Sequence, residues 1–484
     1  MKEIKDLPEV DKVSLPNIGG IRPGVYILTL LILAVAIIIF LIGFLPGILH
    51  GGRFVSFDSE IDGVGLYVDN TYISGLPGQQ FVESGEHTIT YKKGGIVLSE
   101  QILEIDHPVF FTWLVRRNKV IEMNDFNLSS EDTVKLRSFD IQMSYDQSRV
   151  TTFTSVVNYI PYALQYAKDA VAYGWDADTV AVDLDTMSGF ISSIEMLEDI
   201  QNAYDLIGLE EGSNFKIAKT LFDGSLMDDV GEFATDVSTA SKISTSKSTL
   251  NFDGNSIDSI LIPSNSFVMG DRQIYSYPKI SEAGVSTETD AFYISTVPIS
   301  QYLYSLFVQD NPTWSKSNIE SLIESNLVDQ NYLKGIALST QFPSYAPITN
   351  ISYNAATAFC TWLSSKTDKN VIIPTETMWS SAALASDNYI HNIYSTTLTS
   401  MTPESNRPQL MLGGVWEFTS SNFLPYSRLI DESSVIKNLK NLDVNCDVVV
   451  KGGSILNTST TINSVGVMER DVCFDYLGFR IAYN

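Results

Sequence analysis

Gly413-Gly-Val-Trp-Glu417 sets two glycines, a β-branched residue, the largest apolar side chain and an acid in one short run. Glycine pairs mark backbone that passes close to a neighbour or turns left-handed. A tryptophan beside them supplies the buried area that anchors such a turn. Outward from this run the pattern repeats. Lys451-Gly-Gly-Ser454 and Leu477-Gly-Phe-Arg480 follow it, while Pro374-Thr-Glu376 with Trp379 and Phe267-Val-Met-Gly-Asp271 precede it. Each run reads first as structure. Trp362, Trp379 and Trp416 are the expected apolar anchors of an irregular fold. Thr375 ahead of Glu376 predicts a helix start, with Glu376 as cap or first-turn acid. Gly452-Gly453 predicts close backbone passage under a loop. Arg480 predicts a buried acidic partner, because a buried guanidinium needs one.

In this order and spacing the runs resemble the formylglycine-generating enzyme family, the sulfatase-modifying-factor fold. The resemblance covers nearly all of 257–484. Ile260 to Gly270 stands where that family has its first strand. Phe292-Tyr-Ile294 with Val297-Pro-Ile-Ser-Gln-Tyr302 resembles its strand-then-helix entry, and Ala355 to Leu363 and Pro374 to Ala383 its helices. The resemblance implies an irregular α+β domain related to C-type lectins. It also implies oxidation of a sulfatase cysteine by a cysteine pair just after the Gly-Gly-Ser step. Here those positions hold Asn457 and Ile462. A copper site of that kind needs soft thiolates, so the expectation is a kept fold without the redox chemistry. The related iron-dependent enzymes need a histidine triad, and this chain has four histidines, His50, His87, His107 and His391, without metal-like spacing. A family calcium site would fall on Gly413, Val415 and Glu417. Leu410 replaces its asparagine ligand, and calcium wants six to eight oxygens. The competing expectation is that Glu417 makes a buried hydrogen-bonded pair.

Composition bounds the rest. The 484 residues are 44% hydrophobic and 18% charged, which is globular. Lys and Arg number 31 against 57 Asp and Glu, a net charge of -26, so a phosphate backbone is repelled and no nucleic-acid partner is expected. Val25 to Leu45 is apolar throughout and carries no charge, long enough to cross a bilayer. It is longer than a secretory signal's apolar core and lacks a clear Ala-x-Ala site, which predicts an uncleaved signal anchor. Lys2, Lys5, Lys12 and Arg22 precede it and only Arg53 follows closely, placing the N-terminus in the cytoplasm. Three cysteines, Cys360, Cys446 and Cys473, make no disulfide framework. Cys360, in an apolar helical pattern, reads as a packed core thiol.

Along the chain, 1–24 reads as a flexible tail and 25–49 as the anchor. Residues 50–126 alternate in short runs split by Gly, Asn and Asp, a small antiparallel β-sandwich. Leu66-Tyr-Val-Asp-Asn-Thr-Tyr-Ile73 and Ser84-Gly-Glu-His87 ahead of Lys93-Gly94 resemble the PEGA domain, which implies a spacer or adhesion module. Glu86 and His87 alone are too few for zinc. Residues 127–240 carry helical periodicity over Phe153–Ala172, where Pro161 kinks or delays the helix, over Asp185–Leu209, and from Asn214. They read as a helical connector. Ser, Thr and Lys dominate 241–256, a linker, and 257–484 is the last domain. The fold class expected is therefore multidomain, with one transmembrane helix, a β-sandwich, a helical connector and a C-type-lectin-like α+β domain.

These readings lead to a single-pass protein of the bacterial inner membrane whose body lies outside the cytoplasm. Its last domain is expected to be non-catalytic, with no cofactor beyond calcium. A protein or glycan partner would sit on loops around Trp416, Ser454 and Asn457. Two other readings stay open: an enzyme with rebuilt metal chemistry in the old cleft, and an assembly subunit that forms homo-oligomers through the connector.

Overall fold

Pro23 opens α1 (Pro23–Gly43), where a missing N–H costs nothing and the fixed φ suits a first turn. Its 21 residues carry no charge and their large apolar side chains are exposed, so its roughly 31 Å length matches a bilayer core. The computed structural model describes residues 15–49, 51–59, 61, 63–107, 118–122, 128–150, 159–222, 243–269, 272–274, 281–282, 285–386, 406–424, 432–454, 456 and 460–484. The chain divides into two units, Met1–Leu136 and Arg137–Asn484.

After a short α2 (Leu45–Leu49), the first unit holds two small sheets. In one, β1 (Gly52–Asp58) lies between β4 (Gly78–Glu83) and β7 (Asn118–Glu122). In the other the order is β3 (Thr71–Gly75), β2 (Gly65–Val68), β5 (Gly85–Lys93), β6 (Ile96–Ile105). The turns are where the sequence marks them. Asp69-Asn70 joins β2 to β3 with both φ positive, and His87 Nδ1 donates to the Asp69 carboxylate at 2.7 Å on that shoulder. Val55, Phe57, Leu66, Ile89 and Tyr91 bury alternate positions, as the period of a half-buried strand requires. The expected all-antiparallel sandwich needs one correction: β7 runs parallel to β1, with Phe54 opposite Asn118.

The second unit begins within α3 (Ser130–Val150) and continues through α4 (Tyr162–Tyr173), α5 (Ala177–Ser188), α6 (Ile194–Ile207) and α7 (Ser213–Phe222). Pro161 delays α4, as its missing N–H predicts, and 151–158 lie outside the described residues. The periodicity over 185–209 is two helices and not one. Gly189 ends α5, and Ser193 caps α6 by accepting from the Met196 N–H at 3.3 Å. Phe190 and Ile191 between them are buried, so the apolar pattern runs on through a turn.

The last domain has two principal sheets. One has the order β15 (Val371–Ile372), β20 (Ala482–Tyr483), β14 (Phe292–Ser295), β9 (Asn255–Ile262), β8 (Ser246–Phe252). The other has the order β12 (Ser281–Glu282), β11 (Arg272–Ile274), β18 (Ser464–Met468), β17 (Val448–Lys451), β16 (Trp416–Asn422), β19 (Leu477–Gly478). A separate hairpin-like pair joins β10 (Asn265–Met269) to β13 (Val285–Thr289). The helices are α8 (Gln301–Asp310), α9 (Ile319–Glu324), α10 (Tyr353–Lys366), α11 (Glu376–Ala385) and α12 (Glu432–Asn441). Several strands are two residues long, so the fold is an irregular α+β one, as expected.

The stretch 241–256 is not simply a linker. β8 falls inside it and pairs with β9 from Ser246 opposite Leu261 to Phe252 opposite Asn255. Composition hides this because its polar residues face out, while Leu250 and Phe252 alternate inward and are buried. The helices are likewise no free-standing connector. One apolar core joins Tyr145, Tyr166, Leu184 and Met187 to Leu424, Val435, Leu439 and Leu442 of the last domain. Asp183 ties the same seam. It accepts from Arg137 at 2.7 and 3.0 Å, from the Tyr166 hydroxyl at 2.5 Å and from Asn438 at 2.9 Å.

Candidate functional site

β16, α11 and the segment after β19 converge on Glu417, Trp379 and Arg480, each fully buried. Glu417 accepts from Arg480 Nε at 2.5 Å and from Trp379 Nε1 at 2.7 Å on one oxygen, and from Arg480 Nη2 at 2.6 Å on the other. The remaining guanidinium N–H groups donate to the carbonyls of Ser295 at 3.1 Å, Thr296 at 3.4 Å and Gln409 at 3.1 Å. This fork geometry is why arginine serves here: five donors meet fixed acceptors. Beside it Lys451 and Glu376 form a second buried pair at 3.6 Å, with Lys451 Nζ over the Trp379 ring at 5.6 Å. Thr375 caps α11 by accepting from the Met378 N–H at 3.1 Å, and Glu376 follows it as the first-turn acid. Sequence reasoning anticipated the Arg480 partner, the cap and the acid.

The glycine steps close over this node. Gly413 donates its N–H to the Gly452 carbonyl at 2.9 Å. Gly452 has φ +99°, and a Cβ there would stand 2.8 Å from the Met411 carbonyl and 3.2 Å from the Trp379 ring. No side chain fits between those atoms, which is the close passage expected of the pair.

A calcium ion does not fit these residues. Both Glu417 oxygens already accept from cationic or indole N–H groups, so an ion bound there would face Arg480 at contact distance. Leu410 offers no side-chain oxygen in the asparagine's place. Gly413, Val415 and Glu417 thus form a closed structural node and not a ligand set. Among the described residues no three of His, Cys, Asp and Glu are grouped to hold a metal.

The residues expected to bind a partner are not brought together on a surface. Trp416 is 4% exposed, in the core with Phe418 and Leu477. Ser454 is 1% exposed, and its hydroxyl accepts from the Leu456 N–H at 3.2 Å. Asn457 lies outside the described residues. Ile462 packs against the cluster around Trp379. Trp416 was expected both as an apolar anchor and as a partner contact, and its burial fits the anchor.

The three thiols are all free and buried, Cys360 and Cys473 in one core cluster and Cys446 in another. Burial pushes the Cys446 thiol up to about 12, and raises Cys360 and Cys473 further above the usual thiol range. None is poised as a nucleophile.

Among the described residues two clefts are open instead. One of about 510 Å³ lies between α3 and the last domain and is lined by Arg149, Asp447, Glu469 and Arg470. Arg149 there reaches Asp447 at 2.8 Å, Asp146 at 3.1 Å and Glu469 at 3.2 Å, while Arg470 Nε donates to the Cys446 carbonyl at 2.9 Å. The other, of about 400 Å³, is bounded by the β8–β9 turn, the start of α8 and Tyr345. In the sequence Tyr302 stands within the strand-then-helix run Val297–Tyr302, and Tyr345 lies outside every motif. The one signal available was an aromatic residue in the polar, proline-bearing loop Phe342-Pro-Ser-Tyr345.

The family description FGE-sulfatase, Sulfatase-modifying factor enzyme 1-like domain, matches residues 248–409, beginning inside β8. A Borreliella burgdorferi protein bearing the name uncharacterized protein is 25% identical over 403 residues, covering 76% of this chain and 78% of its own. Among solved structures, PvdO from Pseudomonas aeruginosa is similar at 14% identity and a TM-score of 0.31, over 49% of this chain and 98% of its own. Treponema denticola variable protein 1 is similar at 13% identity and a TM-score of 0.30, over 49% and 98%. The C-terminal region of this chain carries a sulfatase-modifying factor enzyme 1-like domain, in a multidomain protein with one N-terminal apolar helix.

Proposed function

We propose that this is a single-pass protein of the cell envelope whose last domain binds or scaffolds a protein or glycan partner and catalyses nothing. The observation that carries this is the closed node. Glu417 is committed to Arg480 and Trp379, and the positions after the Gly-Gly-Ser step hold Asn457 and Ile462 where thiols would be needed. A reactive centre needs groups whose hydrogen bonds are free to reach substrate. α1 serves as an uncleaved signal anchor, with the tail that carries Lys2, Lys5, Lys12 and Arg22 in the cytoplasm and the acidic body outside. The small sheets of the first unit act as a PEGA-like spacer.

The test uses the full chain in detergent. Bound metals are measured by elemental mass spectrometry, and a cysteine-containing peptide is offered in air to look for oxidation. The expected result is no stoichiometric copper or iron and no oxidised peptide. A stoichiometric redox metal with turnover would overturn the reading.

A further inference from the structure

We propose that the cleft bounded by Asn255, Asp258, Tyr302 and Tyr345 binds a neutral sugar unit, one pyranose ring or two, through its apolar face and its hydroxyls. At about 400 Å³ the cleft is of the size that encloses a small ligand. Tyr302 and Tyr345 present two rings with centroids 5.7 Å apart and planes at 53°, an open angle and not a closed stack. The Tyr302 hydroxyl donates to Asn255 Oδ1 at 2.9 Å, which pins that ring. Tyr345 stays 52% exposed and offers its face outward. Phe342, three residues earlier on the same loop, is 82% exposed.

The polar groups decide the ligand class. The first N–H groups of α8 are already used: Gln301 donates to the Ala346 carbonyl at 2.9 Å and Tyr302 to the Ser344 carbonyl at 2.8 Å. Ser300 Oγ takes the Leu303 N–H at 3.3 Å. The backbone N–H groups of Gln301, Tyr302 and Leu303 are therefore spent and cannot cradle a phosphate or carboxylate, and the exposed Asp258 repels both. One carboxylate is too little for a metal ion. A purely apolar ligand would strand Asn255, Ser256 and Asp258 against carbon. A pyranose satisfies both requirements, with C–H groups on one face and hydroxyls at its rim that donate to Asp258 and Asn255.

The cleft is pre-formed. The β8–β9 pairing makes one wall, and the Ser300–Pro347 bridge fastens the Tyr345 loop to the start of α8. Little ordering is then left to oppose binding.

This inference rests on the binding reading of the domain, but it fails separately, since its readout is sugar binding and not metal content or thiol oxidation. The full chain is held in a polyoxyethylene detergent, which carries no sugar. It is titrated with cellobiose, maltose and di-N-acetylchitobiose by calorimetry, with saturation-transfer NMR on the same samples. Saturable binding of at least one disaccharide is expected. Tyr345→Ala should weaken it by roughly tenfold, as loss of a stacked ring does. Tyr345→Phe, which keeps the ring, should retain it, and guards against a variant that merely misfolds. Asp258→Asn should weaken it with no change in melting temperature. No binding of any of the three sugars, or binding untouched by Tyr345→Ala, would overturn the proposal. So would saturable binding of a hexaproline peptide where the sugars fail, which would give the cleft to a peptide.

Discussion

Glu417→Gln would leave the Arg480 guanidinium buried against an amide, one of whose two groups is itself a donor. Removing one partner of a buried pair costs about 3–5 kcal/mol, because the other charge stays uncompensated. The variant should therefore lower the melting temperature of the last domain strongly, read by near-UV circular dichroism. A shift within error of the parent would mean that the node is not closed to water. The thiols supply an independent check at the same scale. With Cys446 pushed up to about 12 and the other two raised further by burial, almost no thiolate exists at pH 8. A raised thiol pKa also delays any gain in reactivity to far higher pH. Ellman's reagent should find no reactive thiol in the native chain and all three after denaturation. Fast labelling of one native thiol would contradict that burial. Residue roles fixed by short-range chemistry were legible in the sequence. Thr375 caps because an oxygen sits before a helix, and Arg480 pairs because a buried cation must. Trp416 was legible as an anchor but could not be separated from a binding platform, since that depends on what covers it. Tyr345 was not legible, since its neighbour in the cleft is far away along the chain.

At the scale of elements, Gly452 is the point where three segments meet without a side chain between them. Alanine there would carry φ +99° and press on the Met411 carbonyl at 2.8 Å. Backbone strain of this kind costs about 1–3 kcal/mol before the clash is counted. Gly254→Ala is the matched control, since its φ is +77° but nothing lies within 4 Å of the added carbon. Gly452→Ala should depress the melting temperature clearly more than Gly254→Ala. Equal shifts would show that conformation alone, and not the close approach, selects glycine at 452. Elements were legible where side-chain period and stop signals agreed, as for α1 and for the β2–β3 turn. They were misread where the two disagreed. Across Asp185–Leu209 the apolar spacing continues through Phe190 and Ile191 while the backbone turns at Gly189. In 241–256 a polar composition masked strand alternation of only two buried residues, Leu250 and Phe252.

At the scale of the whole molecule, the seam between α3–α7 and the last domain decides what the helices are for. An assembly arm that works alone would need its own core, yet the core of these helices is completed by Val435, Leu439, Leu442 and Val444. Polar contacts repeat the arrangement across long sequence separations. Tyr145 donates to the Phe423 carbonyl at 3.0 Å and accepts from the Asp447 N–H at 3.0 Å, and Ser138 donates to the Leu442 carbonyl at 2.5 Å. No reading of either segment alone could place them together, because the pairing is tertiary and each stripe looks like an ordinary helix face. Asp183 is the decisive residue, fully buried and accepting from Arg137, Tyr166 and Asn438 at once. Asp183→Asn would put an amide N–H against donors and strip Arg137 of its partner, a loss of about 3–5 kcal/mol. If helices and last domain form one cooperative body, that loss is shared. Hydrogen exchange read by mass spectrometry should then show protection falling together in α4–α6 and in α12. Protection lost only in α4–α6, with α12 unchanged, would make the helices a separable arm and favour the assembly reading.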